Sequence, residues 1–270
     1  MKKILVKTEN RKDINARFGF KLTKGGVHTS RTMMLDDLGN LLSHADNSKM
    51  AKEDYLKLIR EDNCLGKRSG KTRELSARHL VDLYSLNPDM TLFKALLYFW
   101  NRDKNSRPLL ALLITIARDP VFRSSIPFIF SFSEGQLISR EALEQYIDNF
   151  EPGRFSRATL KSTAQNINST WTKSGHLTGH AKKIRSTPQA TAGAVSYALF
   201  LSYLTGVRGQ ELFTSQYTKA LDCSFEKAIE IAEEASRKGW IILKRVGSVI
   251  EIQFPNLLTQ EEMEWIREQN

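Results

Sequence analysis

One amphipathic helix constrains the fold of this chain more than any other feature of its sequence. At 100° per residue, the apolar side chains of segment 157–173 fall on one narrow stripe. They are Leu160, Ala164, Ile167 and Trp171. Ser156 before the segment is a favourable N-cap, and Gly175 after it is a typical C-terminal stop. The sequence therefore predicts a helix over 157–173 that buries this stripe.

The opposite face of this helix carries amides, hydroxyls and lysine. Its residues are Ser162, Gln165, Asn166, Ser169 and Lys173, with Arg157, Lys161 and Asn168 beside them. Amide side chains can pair with adenine edges in the major groove of DNA, and serine or lysine can contact bases or phosphates. The pattern is typical of a recognition helix, although the solvent face of an ordinary helix has a similar composition.

The charge of the surrounding segment favours the first interpretation. Residues 151–190 contain a single acid, Glu151, and seven basic residues. The basic residues are Arg154, Arg157, Lys161, Lys173, Lys182, Lys183 and Arg185. This segment supplies most of the net charge of +10, whereas an ordinary exposed surface mixes both signs. The cluster Lys182-Lys183-Ile184-Arg185 after the helix predicts a basic wing.

The composition predicts a mainly α protein, because glycine and proline are sparse, with 15 and 7 residues. We expect four parts. Residues 1–31 form a basic N-terminal arm with a short strand at Ile4–Val6. Residues 32–135 form a helical domain, residues 136–190 a basic helix-turn-helix-like segment, and residues 191–270 a C-terminal winged-helix-like module.

The C-terminal module is predicted from three helices and a β-hairpin. The helices are expected at 192–204, at 209–221, and between a cap at Ser224 and a stop at Gly239. Alternating residues in 240–245 and 248–254 then indicate the hairpin. The third helix carries four acids, Glu226, Glu230, Glu233 and Glu234, which phosphate would repel. This module is therefore expected to be structural or to contact protein. Lys244 and Arg245 in the hairpin favour the opposite interpretation, contact with nucleic acid.

Two other segments partly resemble known kinds of binding site. The segment from Gly66 to Thr72 resembles a phosphate-binding loop, but Leu65 stands where the first glycine is required, and a helix rather than a strand is predicted before it. We interpret it as an exposed turn, or alternatively as a grip on a DNA backbone. His176 and His180 lack the further ligands that a zinc site needs. We expect no catalytic residue, no metal and no cofactor, and hence no enzyme.

The cellular context is predicted from what the sequence contains. Its two cysteines, Cys64 and Cys223, suit a reducing cytoplasm, and its apolar runs are shorter than the ~20 residues that cross a bilayer. We expect a soluble cytoplasmic protein with no membrane partner.

The run from Phe155 to Gly179, followed by Lys182-Lys183-Ile184-Arg185 and an apolar helix, resembles the BrxA family of bacterial BREX phage-defence systems. The likeness is clearest over residues 137–205. It implies a non-enzymatic, DNA-binding accessory protein with helix-turn-helix and winged-helix parts, which works beside a methyltransferase and an ATPase in antiviral defence. The chain looks long for that family, and its basic arm departs from the family's pattern.

The sequence as a whole predicts a protein that binds double-stranded DNA. The expected phosphate contacts are Arg154, Arg157, Lys161, Lys173, Lys182, Lys183 and Arg185, and the expected groove contacts are Gln165, Asn166 and Ser169. Two alternatives stay open. One is an RNA-binding protein, since basic helices also bind RNA. The other is a protein-interaction scaffold of the defence complex, with the acidic module as its docking face.

Overall fold

The structure, a computed structural model, describes residues 15–22, 25–45, 50–247 and 249–268. These residues are mainly helical and carry a C-terminal β-hairpin, which confirms the predicted fold class. The strand predicted at Ile4–Val6 lies outside the described residues.

Most of the longer helices match the apolar patterns of the sequence. The α-helices are α1 Leu35–His44, α2 Lys52–Arg60, α3 Gly70–Tyr84, α4 Thr91–Arg102, α5 Arg107–Arg118, α6 Pro120–Arg123, α7 Ile126–Phe130, α8 Arg140–Phe150, α9 Arg157–Lys173, α10 Ala192–Leu204, α11 Gln216–Lys219, α12 Phe225–Arg237 and α13 Gln260–Glu268. Short 3₁₀ turns occur at Val27–Thr29, Lys104–Ser106 and Gly209–Thr214. The strands are β1 Leu137–Ile138, β2 Leu177–Thr178, β3 Lys183–Arg185, β4 Ile242–Val246 and β5 Val249–Gln253.

The chain divides into two compact units, each built from separate stretches of sequence. Among the described residues, the first unit comprises 15–22, Met90–Leu113 and 188–268. The second comprises 25–89 and Ile114–Thr187. The predicted helical domain thus contributes to both units, and the predicted boundary at 190 lies close to the division after Thr187.

The described part of the predicted N-terminal arm is packed rather than extended. Phe18 and Phe20 are buried in the first unit, where Phe18 meets the ring of Trp265 at 5.8 Å. Val27 and His28 are buried in the second unit. The apolar and aromatic side chains of this basic stretch are therefore part of the two cores. The charge pattern of the sequence did not indicate this burial.

The middle of the chain forms two helices and a small three-stranded sheet within the second unit. Its order is β1, α8, α9, β2 and β3, and β3 lies between β1 and β2 in an antiparallel sheet. Ser139 and Ser156 start the two helices, since their hydroxyls accept hydrogen bonds from Ala142 N at 3.0 Å and Thr159 N at 3.2 Å. The turn between β2 and β3 is the wing. We call residues 137–185 the middle module.

The C-terminal module lies within the first unit and has a related order of elements. Helix α10 is buried on nearly every side, and α12 precedes the hairpin of β4 and β5. The prediction of a single helix over 209–221 was wrong, because the backbone becomes extended at Ser215, with φ −66° and ψ 162°. A 3₁₀ turn and the short helix α11 stand in its place, and the Ser215 hydroxyl caps the latter.

Candidate nucleic-acid interface

The inner face of α9 follows the predicted stripe. Ala164, Ile167 and Trp171 are fully buried. The indole Nε1 of Trp171 donates a hydrogen bond to Ser125 Oγ at 3.0 Å, and its ring packs 5.0 Å from that of Phe122. These contacts fix the rotation of α9 about its axis, and hence the face that it leaves exposed.

A buried polar network also holds this helix. His28 is fully buried, with Nδ1 2.8 Å from Asp119 Oδ2 and Nε2 2.8 Å from Thr170 Oγ1 on α9. The Thr170 hydroxyl also accepts a hydrogen bond from Met33 N at 2.9 Å. Thr170 was not singled out in the sequence, because a lone threonine on a helix carries no signal for a partner 142 positions away.

Asp119 is the charged member of this network. It is 1% exposed and accepts hydrogen bonds from Val27 N at 2.7 Å, His28 N at 3.1 Å and Phe122 N at 3.0 Å. Burial by itself would raise the pKa of its carboxyl, but the His28 ring and the backbone donors outweigh burial and hold the pKa below its usual range.

The exposed face of α9 lines an open groove of about 900 Å³. The wing forms a second wall, and β1 with the first turn of α8 forms a third. Five of the predicted site residues line it together: Gln165, Ser169, Lys173, Lys182 and Lys183. The groove therefore joins the recognition face and the wing, which are separated in sequence, into one surface with amide, hydroxyl and ammonium groups.

Three further predicted residues lie at the N-terminal end of α9. Arg157 and Lys161 are exposed, and their charges are open to solvent. Arg154 forms an ion pair with Glu151, and its guanidinium lies 4.7 Å from the centre of the Phe155 ring. This ion pair reduces the charge that Arg154 offers to a phosphate.

Two residues that were predicted to contact DNA, Arg185 and Asn166, face the protein interior instead of the groove. Arg185 is only 5% exposed; its guanidinium lies 5.0 Å from the Phe130 ring and donates to His176 O at 3.3 Å. It supports the base of the wing and cannot reach a phosphate from there. Asn166 is half-buried, and its Nδ2 donates to His28 O at 3.0 Å, so it faces the 3₁₀ turn and not the groove.

Two lysines that line the groove, Lys173 and Lys183, already interact with other groups of the protein. Lys183 Nζ donates to Gly179 O at 2.7 Å across the wing, and partial burial lowers the pKa of its ammonium. Lys173 forms an ion pair with Asp36. Lys182, in contrast, is exposed at the wing.

Several groove residues were not predicted, because they precede the basic segment or look unremarkable in it. Ser139, Arg140 and Glu141 enter from the start of α8, and His180 lies on the wing. Glu141 brings a negative charge, and hydrogen bonds from its own backbone N–H and from Arg140 lower the pKa of its carboxyl. Arg140 brings a positive charge that balances Glu141, so the start of α8 adds no net charge to the groove.

No protein-family model matches the chain, and no curated protein matches it either. Within the described residues, no helix is long and apolar enough to cross a membrane. The same part of the chain contains no group of three or more His, Cys, Asp or Glu side chains that could hold a metal ion.

Proposed function

We propose that this protein binds double-stranded DNA through its middle module. The observation that carries the proposal is the groove in which the exposed face of α9, the wing and the start of α8 meet. In winged-helix proteins the helix before the wing enters the major groove, and the wing contacts the neighbouring backbone. Helix α9 holds the position before the wing here.

Each group then has a role that its position allows. Gln165 and Ser169 face the groove and offer hydrogen bonds to base edges. Arg157, Lys161 and Lys182 are exposed and offer charge to phosphates. The affinity would come mainly from the phosphate contacts and would fall with salt, because binding releases counterions from DNA.

The biological setting is proposed from the resemblance alone. The likeness of residues 137–205 to the BrxA family supports a non-enzymatic accessory role in a BREX-like phage-defence system. In that setting, the DNA-bound protein works beside a methyltransferase and an ATPase in the cytoplasm.

The test is a comparison of two doubly substituted variants that lose the same charge. Lys161→Gln/Lys182→Gln removes two exposed cations from the middle module. Lys244→Gln/Arg245→Gln removes two exposed cations from the C-terminal hairpin and serves as the matched control. Binding to one DNA duplex is measured by fluorescence anisotropy at several salt concentrations.

We expect the first variant to bind about tenfold more weakly, with a salt slope smaller by about 2, one for each lost phosphate contact. The control should change the affinity less than twofold. Equal losses in both variants would contradict the assignment to the middle module, and a wild type that does not bind at low salt would overturn the function. The RNA-binding alternative is tested with an RNA duplex of the same sequence as competitor. Stronger competition by RNA than by DNA would favour an RNA-binding protein.

The C-terminal module supports a second candidate function, the protein scaffold. Its hairpin exposes three large apolar side chains on one face: Ile242 at 39%, Val246 at 80% and Val249 at 70%. Exposed apolar groups of this size favour contact with protein over contact with phosphate. Salt-insensitive, weak DNA binding together with stable co-purification of another defence protein would favour this function.

A further inference from the structure

A second cavity adjoins the groove at the C-terminal end of α9. Its volume is about 460 Å³, and Lys173 lines both cavities. The other walls come from residues 31–37 and from the segment that resembles a phosphate-binding loop, through Lys67 and Thr72. The two cavities therefore form neighbouring sections of one surface within the second unit.

The segment 66–72 has the groups that an anion needs, arranged on the first turn of a helix. Helix α3 begins at Gly70 and runs for 15 residues, and its first turn contains no acid. A helix of this length presents partial positive charge at its N-terminus. Arg68 and Lys71 are exposed beside this turn. A nucleotide-binding loop follows a β-strand, whereas helix α2 precedes this loop. The segment is therefore not a nucleotide-binding loop.

A buried hydroxyl supplies an independent indication of a ligand. Ser76, on the second turn of α3, is 6% exposed and lines the cavity. Its Oγ is open to the cavity, so the hydroxyl can donate to a group that enters there.

The cations in the cavity are held by internal counterions. Lys67 Nζ lies 2.7 Å from Asp37 Oδ1, and Lys173 pairs with Asp36, whose side chain is 78% exposed. A phosphate that approaches Lys173 would compete with Asp36 for this ammonium. The exposed ion pair contributes little to stability and is easily exchanged.

We propose that this cavity and the loop 66–72 bind a backbone phosphate of the DNA that occupies the groove of the middle module. The proposal rests on the proposed function. A duplex that lies on α9 must carry its backbone past one end of that helix, and Lys173 marks the end at which the second cavity opens. The contact is to phosphate and carries no sequence preference.

The experiment compares Arg68→Gln/Lys71→Gln with Lys52→Gln/Lys57→Gln, a control on α2 that loses the same charge in the same unit. Affinity for one duplex is measured against salt for both variants and the wild type. We expect the loop variant to bind about tenfold more weakly and to lower the salt slope by about 2, while the control changes the affinity less than twofold. A third variant, Asp36→Asn, should raise the affinity about twofold to threefold, because it releases Lys173.

The outcomes distinguish failure of the second phosphate site from failure of DNA binding by the middle module. If the wild type binds and Lys161→Gln/Lys182→Gln weakens binding, but the loop variant matches its control, the second site is refuted and the function stands. If the wild type does not bind, both fail. Binding of inorganic phosphate, followed by NMR shifts of the loop amides, tests the other source of phosphate. Shifts that disappear in the loop variant, together with unchanged DNA affinity, would assign the site to a free phosphate and overturn the DNA contact.

Discussion

The middle and C-terminal modules have related orders of elements, but they differ in the surface of the helix before the hairpin and of the hairpin itself. In the middle module, α9 exposes Arg157, Lys161 and Gln165, and its wing exposes Lys182. In the C-terminal module, α12 carries four acids, and the hairpin exposes valines at its tip. The shared architecture therefore does not determine the partner, which depends on the side chains outside the core.

The helices that precede the two hairpins, α9 and α12, also differ in how they are anchored. Helix α12 packs through small apolar residues, among them Ala228, Ala232 and Ala235, which are fully buried. Helix α9 adds a buried polar network through Thr170 to His28 and Asp119. Polar anchoring specifies one position of the helix more tightly than apolar packing, because its geometry is directional and each unmade hydrogen bond is costly.

The largest effect that we expect is on the stability of this polar anchor. Asp119→Asn removes the charge opposite His28 while keeping the size of the side chain. We expect the free energy of unfolding of the second unit to fall by about 3 kcal/mol, as for other broken buried pairs. The control is Ser224→Ala, which removes the N-cap of α12 and should cost about 1 kcal/mol. Urea unfolding followed by circular dichroism measures both, and equal losses would contradict the contrast in anchoring.

The same variant predicts a dependence on pH. The pKa of Asp119 is lower in the folded protein, so its carboxylate stabilises the fold above the ordinary aspartate pKa of about 4. This contribution is lost as the pH falls through the lowered value. The difference in unfolding free energy between wild type and Asp119→Asn should therefore be largest near neutral pH and shrink below pH 4. A difference that stays constant from pH 7 to pH 3 would show that the carboxylate charge is not its source.

A smaller effect tests whether acidity alone keeps the C-terminal module from DNA. Glu226→Gln/Glu230→Gln removes two acids from the exposed side of α12. If the middle module alone binds, the affinity for a duplex should rise less than threefold, through the weaker overall repulsion. A rise of tenfold or more in an anisotropy titration would identify α12 as a second DNA contact and remove the distinction between the modules.

The smallest effect concerns the hairpin tip. Val246→Ser/Val249→Ser should leave the DNA affinity unchanged and alter the unfolding free energy by less than about 0.5 kcal/mol, because both side chains are exposed. The control is the same measurement on Lys244→Gln/Arg245→Gln. A clear loss of DNA affinity in the valine variant would mean that the hairpin contacts DNA through apolar groups. The hairpin and the wing of the middle module would then share a role.

The helices and their caps were largely predictable, because they depend on local patterns. The stripe of α9, its cap at Ser156 and the helix 192–204 follow from the spacing of apolar residues and one hydroxyl. Helix α13 was not predicted, since its nine residues are mostly charged and carry few apolar positions. Periodicity identifies helices that bury a wide stripe and misses short ones that pack through a few side chains.

The site was predictable only in part, because it depends on contacts that are remote in sequence. The spacing of Gln165 and Ser169 placed both on the exposed face. The partner of Asn166 at His28, however, lies 138 positions away, and nothing near Asn166 indicates it. Arg185 looked like a wing cation because charge in a sequence carries no information about burial.

The network around His28 also has a consequence for the order of synthesis. Residues 26–33 leave the ribosome long before Thr170, which satisfies the His28 ring and Met33 N. At ~5–20 residues per second, this segment waits for roughly 7–30 seconds with its donors exposed to water. The second unit can therefore close only when α9 has emerged, and a fragment that starts at the middle module would lack the segment 26–33 that holds α9 in place.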